Sequence, residues 1–390
     1  MLEQYLRRIQ PLSAQRLRQL GLHWFLDNEA YFTDELLAIS QRRCDAFYAA
    51  GEQLVQMYRE AAQFVIKQRL LTTLDIPPSM HGMIKYTYAA PRHLNLVGRF
   101  DLAGGIQGLP IKLLEYNANI TTLLPETALI QREQLQQSAI LNDGQFNYLQ
   151  KDLRLRLQQI QDNFPYHQPQ LLITTLGHPL DDLNADFIGF VAEEAGFTVV
   201  HALFTELEFS NLGISLREQP NQYFPFVYQS FGWEYLAYER ADLLPVISDL
   251  VIQEKCIFLQ PPYTMLLQNK GLLKYLWDLN PAHPLLLKTD FTKEGLGREN
   301  YVRKSIYGGE GENIAIYKKG KPLRAHGGHY GNVPAVYQDF AELAQDNTRH
   351  YYQLSLFIVD EPAAICFRRK DHLIVDEEAS FMGHFIEADE

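Results

Sequence analysis

Residues 98–127 read GRFDLAGGIQGLPIKLLEYNANITTLLPET, and this segment determines the architecture that we predict for the chain. Two runs within and beside it, residues 94–102 and 111–117, have the composition of β-strands. The connection between them is rich in glycine and contains Pro110, which is typical of a turn. The segment therefore predicts a β-hairpin, followed by a second turn.

Polar side chains recur at every second position in both predicted strands. Because side chains alternate along a strand, Arg99 and Asp101 share one face, and Glu115 and Asn117 do the same. If the two faces meet, two carboxylates and a carboxamide oxygen lie together, which are the hard oxygen donors that Mg²⁺ prefers beside phosphates. Arg99 can then hold an anion. The alternative is a half-exposed hairpin whose polar residues face water.

The length and charge of the chain limit the possible functions. A chain of 390 residues predicts two or three joined subdomains, and a formal charge of −12 argues against a nucleic-acid partner unless basic residues cluster, which we do not expect. Glu3, Arg7 and Arg8 stand where a signal peptide needs an apolar core, and no run approaches about 18 apolar residues. We therefore predict a cytoplasmic protein without membrane contact.

The cysteine and histidine residues do not form a recognisable metal or disulfide pattern. Cys44, Cys256 and Cys366 are widely separated, which predicts buried thiols that pack as small hydrophobic groups. Histidines also flank two glycines at residues 326–329. Without further ligands at zinc spacing, we interpret this segment as a mobile glycine-rich connection.

The first part of the chain is predicted to be helical over residues 1–72, with apolar residues at helical spacing in residues 35–49 and 52–71. Two prolines at residues 77–78 are expected to end the helices. Aromatic residues concentrate in residues 23–32, which we predict to pack in the core, with a substrate-binding wall as the alternative.

The middle of the chain has a different pattern. Residues 126–157 predict one or two helices. An apolar strand at residues 170–175, a helix at residues 180–195 and a strand at residues 198–203 then form a βαβ unit of the doubly wound kind. Its turn, residues 176–179, lacks the G-x-G-x-x-G fingerprint, so we do not expect it to bind a dinucleotide.

A glycine-rich segment follows at residues 301–317, YVRKSIYGGEGENIAIY. It predicts two strands joined by a loop that contains Gly308, Gly309 and Gly311. Backbone N–H groups of such a loop can approach a polyphosphate closely, because glycine has no Cβ and adopts positive φ. An ordinary hairpin turn is the alternative. From the residues alone, Lys270 is better explained as a solvated surface lysine.

These segments together resemble one known family. R-F-D at residues 99–101, followed by L-L-E-Y-N-A-N at residues 113–119, is similar to the metal-binding core of the glutathionylspermidine synthase family, whose pattern runs R-x-D and then L-L-E-x-N-A-D. Weaker matches continue in the same order to about residue 386. The resemblance implies the stand-alone synthetase form of the family, in the α/β (α+β) class, with an ATP-grasp fold, a Rossmann-like unit and a helical N-terminal region.

The resemblance also implies roles for individual residues. Arg99 and Arg368 would be catalytic, with Arg369 as an alternative to Arg368; without the resemblance, a solvent-facing charge at a strand end would explain either of the latter two. Other roles are implied for a larger set: Asp101, Glu115 and Asn117 for Mg²⁺; Lys270, Lys304, Gly308, Gly309, Gly311, Asn313 and Gln338 for ATP; and Asn119, Thr121 and Thr122 for the substrate.

The implied organisation assigns residues 1–90 to a helical N-terminal region packed on the core, 91–168 and 257–284 to the first part of the ATP-grasp core, 169–256 to the Rossmann-like pre-ATP-grasp unit, 285–335 to a glycine-rich lid, and 336–390 to the C-terminal part of the core.

The implied activity is ATP-dependent ligation of a small-molecule or peptide acid to an amine through an acyl phosphate, with release of ADP and phosphate. Four residues depart from the family pattern: Ser305 replaces a proline, Gly309 an arginine, Asn119 an aspartate and Leu123 a serine. We therefore expect substrates that differ from those of the family's namesake. Two alternatives stay open, namely an ATP-binding protein that has lost turnover and an interaction protein that has kept only the fold.

Overall fold

The computed structural model describes residues 2–26, 28, 31–140 and 144–387. In these residues the α-helices are α1 (Ala14–Gln19), α2 (Gln41–Lys67), α3 (Pro78–Ala89), α4 (Gln131–Gln137), α5 (Leu149–Asn163), α6 (Pro179–Glu194), α7 (Trp233–Tyr238), α8 (Leu244–Ile252), α9 (Thr264–Gln268), α10 (Leu272–Leu279) and α11 (Lys293–Leu296).

The strands of the same residues are β1 (Leu6–Arg8), β2 (Glu35–Ser40), β3 (Gly98–Ala103), β4 (Lys112–Asn117), β5 (Gln170–Thr175), β6 (Thr198–Leu203), β7 (Leu207–Ser210), β8 (Gly213–Leu216), β9 (Phe226–Gln229), β10 (Ile257–Phe258), β11 (Thr289–Asp290), β12 (Tyr301–Ser305), β13 (Ile314–Lys318), β14 (Lys321–His326), β15 (Ala335–Asp339), β16 (Ala344–Gln345), β17 (Tyr351–Val359), β18 (Glu361–Lys370), β19 (Ser380–Met382) and β20 (His384–Glu387).

The predicted hairpin is present as β3 and β4, at one end of a six-stranded antiparallel sheet that we call the central sheet. Its order is β19-β18-β17-β3-β4, with β16 added to β17. The hairpin turn contains Gly104, Gly105 and Gly108, whose φ angles are +75°, +76° and +74°. Glycine adopts these angles without steric cost, which explains the glycine-rich connection in the sequence.

Helices cover both faces of the central sheet. The long helix α2 packs Phe47, Leu54 and Tyr58 into the hydrophobic cluster that contains Phe100 and Leu356. Helix α5 lies on the opposite face, in the cluster that contains Phe357. Because Leu356 and Phe357 are consecutive residues of β17, their assignment to different clusters follows from the alternation of side chains along a strand.

The predicted βαβ unit is confirmed. Strands β5 and β6 are parallel and α6 connects them, within a four-stranded parallel sheet of order β10-β9-β5-β6. The glycine-rich segment also has the predicted arrangement, because β12 and β13 pair antiparallel on either side of the loop. They belong to a five-stranded sheet of order β11-β15-β12-β13-β14, which we call the lid sheet.

Two predictions for the N-terminal part are wrong. Residues 35–40 form strand β2 and not the start of a helix, because Leu36–Ile39 are buried between β1 and β20, and a short apolar run does not distinguish a buried strand from a helix. Pro77 and Pro78 do not end the helical region either. Pro78 is the first residue of α3, a position where its missing N–H costs nothing.

The helical prediction for residues 126–157 is confirmed in part. Glu126–Ile130 form a π-helical turn that continues into α4, and α5 covers the end of the segment. Residues 141–143 lie outside the described part of the chain. In that part, no helix is both long enough and apolar enough to cross a membrane.

A buried histidine ties the last strand to the rest of the core. The His384 side chain is fully buried, its Nε2 accepts a hydrogen bond from the Phe146 backbone N–H at 2.9 Å, and its Nδ1 lies 3.0 Å from Gln131 Oε1. Burial disfavours the charged ring and lowers the pKa of His384 to about 3. The ring is therefore neutral in the folded protein at neutral pH.

We predict that protonation of His384 makes folding pH-dependent. Between pH 6.5 and about 3 the unfolded state binds a proton that the folded state does not, so the free energy of unfolding falls as the pH is lowered, by up to about 1.4 kcal/mol per pH unit. Urea unfolding at several pH values should show this slope in the native protein and a shallower slope in His384→Gln. The exposed His178→Gln is the control, and an unchanged slope in His384→Gln would contradict the assignment.

Candidate active site

A cavity of about 330 Å³ opens between the central sheet, the lid sheet and the N-terminal end of α6. Segments that are far apart in sequence line it: the β3–β4 hairpin, Leu180 and Asp181 of α6, the glycine-rich loop, the C-terminal end of β15, and residues 373–377. Its size and mixed lining are typical of a small-molecule site.

The register of the central sheet explains why the predicted polar residues converge there. Arg99 lies opposite Asn117, and Asp101 lies between Glu115 on β4 and Ser355 on β17. Residues that face each other across neighbouring strands project to the same side of a sheet. The two polar faces of the hairpin therefore meet, as the predicted site requires.

Arg99 and Asp101 form a buried, bidentate ion pair. Arg99 Nε is 2.8 Å from Asp101 Oδ1 and Nη2 is 3.0 Å from Oδ2, while Nη1 donates to both the carbonyl and the hydroxyl oxygen of Thr122. Burial opposes the charge of Arg99, but the charge and hydrogen bonds of Asp101 outweigh it and raise the pKa of the guanidinium. Arg99 is thus permanently charged and fixed in orientation.

The Asp101 carboxylate has a full set of hydrogen-bond donors. Besides the two bonds from Arg99, Oδ1 accepts from the Ser355 hydroxyl at 3.0 Å and Oδ2 from the Asn117 side-chain N–H at 3.0 Å. A carboxylate offers about four lone-pair sites, and all are used. In this arrangement Asp101 is the counter-ion of Arg99, and it can bind a metal only by giving up one of these hydrogen-bond donors.

Glu115 lies beside the ammonium groups of two lysines. Its Oε2 is 3.5 Å from Lys270 Nζ and 3.9 Å from Lys304 Nζ. Both lysines are buried, at 5% exposure each, so the surface-lysine alternative for Lys270 is wrong. Burial lowers the pKa of Lys304 to about 8, against the opposing effect of Glu115. Two cations held out of water beside one carboxylate form a strong anion site.

The metal prediction has mixed structural support. The described residues contain no group of three or more His, Cys, Asp or Glu side chains placed to hold an ion. The predicted set nevertheless has suitable chemistry, because Glu115 lines the cavity and Asn117 uses its amide nitrogen on Asp101, which leaves the carboxamide oxygen for a ligand. Glu115 and Asn117 thus fit Mg²⁺ better than Asp101 does.

Arg368 lines the cavity, whereas Arg369 does not. Arg368 donates through Nε and Nη2 to the carbonyl oxygens of Asp376, Glu377 and Ala379, at 2.7 to 3.2 Å. These bonds fix the guanidinium plane and leave Nη1 for a ligand. Arg369 points to the other side of β18, where it pairs with Glu35 at 3.0 Å.

The glycine-rich loop contributes unequally to the cavity. Gly309 and Gly311 line it, while the Gly308 carbonyl accepts a hydrogen bond from the Lys270 ammonium. Asn313 lies at the loop end, where its side chain accepts from the Tyr330 N–H at 2.8 Å. A Cβ added to Gly309 would meet no atom within 4 Å. The space that a larger residue would need is therefore open.

The two ends of the predicted site differ in how directly they face the cavity. Gln338 lines it, and its amide makes a long hydrogen bond of 3.4 Å to the Leu113 carbonyl. Of the three predicted substrate residues, Thr122 lines the cavity. Asn119 and Thr121 lie beneath it, with the Asn119 side chain bonded to Glu234 and Thr264 and the Thr121 hydroxyl to the Asn117 carbonyl. For these two, direct substrate contact is not supported.

Eight acidic residues that line the cavity were not predicted as site residues. Burial raises the pKa of four of them, Glu126, Asp181, Glu234 and Glu310, in the case of Asp181 to about 6. Glu126 and Asp181 stand in ordinary helical contexts and meet the cavity only through the tertiary fold. Glu310 lies within the glycine-rich loop that the sequence singled out, although no role was predicted for it.

The aromatic segment near the N-terminus contributes to both the core and the cavity. Phe25 is buried and stacks with Tyr31 at a centroid distance of 5.2 Å, as the packing prediction requires. Tyr31 also lines the cavity, and its hydroxyl donates to Glu126 Oε1 at 2.8 Å. Residues 27, 29 and 30 of this segment lie outside the described residues.

The two histidines that flank the glycines at residues 327–328 lie beside the glycine-rich loop, and the cysteines are buried. His326 Nδ1 lies 3.2 Å from the Gly311 carbonyl oxygen, and His329 Nδ1 lies 2.8 Å from Glu312 Oε1, so both rings contact the glycine-rich loop. The three cysteines are buried and reduced, as predicted.

Comparison with known proteins gives a consistent result. The sequence profile described as "glutathionylspermidine synthase preATP-grasp" matches residues 4–387. A Haemophilus influenzae protein named "putative acid–amine ligase" is 26% identical over 302 residues, which cover 74% of this chain and 74% of that protein. The Escherichia coli bifunctional glutathionylspermidine synthetase/amidase is 23% identical over 354 residues, covering 85% of this chain and 56% of the longer protein.

One solved structure is similar over nearly the whole chain. A glutathione synthetase-like effector from Globodera pallida, in its apoform, superposes with a TM-score of 0.53 at 11% sequence identity, and the match covers 96% of this chain and 98% of that one. At this identity the likeness concerns the fold alone.

We predict that the Arg99–Asp101 pair is required for stability. Asp101→Ala leaves a buried guanidinium without its counter-charge, which should cost about 3–5 kcal/mol of the free energy of unfolding. Glu35→Ala removes the partner of the more exposed Arg369 and should cost no more than about 1 kcal/mol. Urea unfolding of both variants measures the difference, and equal losses would contradict it.

Proposed function

Since the chain belongs to the glutathionylspermidine synthase preATP-grasp family and has an α/β ATP-grasp fold, we propose that it is an ATP-dependent acid–amine ligase. The proposed reaction joins the carboxylate of a small-molecule or peptide acid to an amine and releases ADP and phosphate. We place it in the cavity between the central sheet and the lid sheet.

The observation that supports this proposal most directly is the distribution of buried positive charge. Lys270 and Lys304 lie within 4 Å of Glu115 at one end of the site, and Arg99 and Arg368 are fixed around its floor. Arg99, Lys270 and Lys304 are buried and Arg368 is half-buried, and burying cations is costly unless anions compensate them. The polyphosphate of ATP and the carboxylate of an acid are anions of suitable charge.

The chemistry requires this charge because carboxylates and amines do not condense in neutral water. A carboxylate oxygen of the acid attacks the γ-phosphorus of ATP, which forms an acyl phosphate and releases ADP. The amine nitrogen then attacks the acyl carbon, phosphate leaves, and the amine proton passes to solvent. Phosphoryl transfer depends on charge stabilisation and positioning more than on any protein nucleophile.

Each basic residue has a proposed part in these steps. Lys270 and Lys304 hold the phosphate charges, and Arg368 presents Nη1 to the phosphoryl group in transfer. Arg99 orients the acid carboxylate beside Thr122. We propose that the loop containing Gly309 and Gly311 closes over the site, because an acyl phosphate must be protected from water.

Mg²⁺, when bound, would neutralise phosphate charge. We propose Glu115 and Asn117 as its principal ligands, because their oxygen atoms face the cavity. Asp101 would join them by exchanging one of its hydrogen-bond donors, most simply the Asn117 amide.

The division of the chain predicted from sequence is also part of this proposal. It assigns a pre-ATP-grasp unit to residues 169–256, a lid to residues 285–335, and the ATP-grasp core to the segments on either side. A cytoplasmic location is proposed on the same basis.

A second candidate function is ATP binding without turnover. Gly309 stands where the family pattern has an arginine, and the space beside it is empty. Loss of that arginine would leave nucleotide affinity and remove part of the charge stabilisation of the transition state. Tight ATP binding with no ADP formed under any substrate combination would favour this candidate.

The first test of the proposal is phosphate release from Mg·ATP against a panel of peptide acids and amines. We predict release that requires both substrates and falls at least about 10³-fold in Arg368→Ala, the size of effect that arginines have in phosphoryl transfer. Glu115→Ala should abolish release. Glu60→Ala, on the exposed face of α2, is the control. Release that is independent of Glu115 would contradict the proposed site.

ATP affinity should depend on the protonation of Lys304. Its pKa of about 8 means that the ammonium loses its charge between pH 7 and 9, so the Kd for ATP should rise about tenfold across this range. Calorimetric titration at pH 7, 8 and 9 measures this. In Lys304→Arg the charge persists above pH 12, and the rise should disappear. An equal rise in both proteins would show that another group is responsible.

A further inference from the structure

The lid sheet carries a positive charge in a protein that is otherwise acidic. Residues 285–335 contain nine Lys and Arg against five Asp and Glu, while the whole chain has a formal charge of −12. Four of the nine lie between residues 318 and 324, with no acidic residue among them. The prediction that basic residues do not cluster is therefore wrong for this segment, which comprises the end of β13, a turn and the start of β14.

Strand β14 forms a free edge of the lid sheet. It pairs with β13 on one side only, and all six of its residues are exposed. About half of the backbone N–H and C=O groups of an edge strand point away from its neighbour and can pair with another chain. Among the described residues, the side chains of Lys319, Lys321 and Arg324 have no hydrogen-bond or ion-pair partner. We call these three side chains and the free side of β14 the basic edge.

Residues at both ends of the basic edge contact residues that line the active-site cavity. At one end, Lys318 Nζ is 4.3 Å from the ring centroid of Phe340, which lines the cavity. At the other end, His326 contacts the carbonyl of Gly311 in the glycine-rich loop. The charge of Arg324 also acts on His372, which precedes the cavity-lining residues 373–377.

We propose that the basic edge binds an acidic peptide, which adds to the lid sheet as an extended strand beside β14. Main-chain hydrogen bonds to β14 would supply affinity, and the three basic side chains would attract the carboxylates of the peptide. That this peptide is the acid substrate rests on the proposed function. Its terminal carboxylate would then enter the cavity while the preceding residues lie along the edge.

A peptide fits this surface better than a nucleic acid does. The exposed strand offers backbone hydrogen bonding that only another peptide backbone can match residue by residue. The alternative is that the lysine and proline residues of β14 only prevent edge-to-edge pairing between copies of the protein. In that case the native protein does not bind the peptide.

The test is the binding of a fluorescein-labelled octapeptide of alternating Glu and Ala to the full chain, measured by fluorescence anisotropy. We expect saturable binding that weakens with added salt and at least tenfold in the triple variant Lys319→Glu/Lys321→Glu/Arg324→Glu. The matched control is Lys67→Glu/Lys85→Glu/Lys151→Glu, which changes the net charge equally at exposed sites outside the lid sheet. This control should bind as the native protein does.

A second peptide with N-methyl groups at alternate amides tests the backbone pairing and should bind at least tenfold more weakly. No binding by the native protein, equal losses in the two triple variants, or equal affinity for the methylated peptide would each overturn the proposal. Tighter binding of an oligo-dT probe with the same dependence on the basic edge would also overturn it, in favour of nucleic acid. The assay needs no turnover, so failure of phosphate release would count against the proposed function alone.

Discussion

The bidentate ion pair between Arg99 and Asp101 is the interaction on which the rest of the site depends. It lies where β3 meets both β4 and β17, and Ser355 and Asn117 complete the hydrogen bonding of the carboxylate from those neighbouring strands. A buried pair of this kind tolerates little displacement, because each charge needs the other and each lone pair is used. The register of three strands is therefore linked to the position of one guanidinium.

Around this fixed point the cavity holds charges of both signs close together. Lys270 acts on Glu234, and Arg368 and Arg99 act on Glu126, in each case against the rise in the pKa of the acid that burial causes. This proximity explains why so many ionisable groups can be buried together, since each sign lies within reach of the other.

The sequence predicted those parts of the fold and the site that depend on local spacing. The hairpin, the βαβ unit and the strand–loop–strand segment follow from periodicity and glycine placement. Alternation placed Arg99 and Asp101 on one face of β3, and Glu115 and Asn117 on one face of β4, and the strand register then brought the two faces together. What could not be predicted depends on tertiary contacts. Residues 35–40 are a strand because β1 and β20 cover their edges, and Asp181 and Glu310 meet only after separate sheets pack together. For Asn119 the tertiary contacts act in the opposite direction. It lies close to the site in sequence, but its side chain is bonded to Glu234 and Thr264 beneath the cavity.

The connectivity of the sheets has a consequence for how the protein is made. Strand β3 pairs with β17, some 250 residues later, and Arg7 bonds to Glu387 across 380 residues. Proteins with such non-local pairing fold slowly, because long loops must close before their contacts form. On the ribosome the hairpin emerges early. The edge of β3 that pairs with β17 then stays uncovered until most of the chain has been translated. A nascent chain of this kind needs protection from aggregation throughout synthesis.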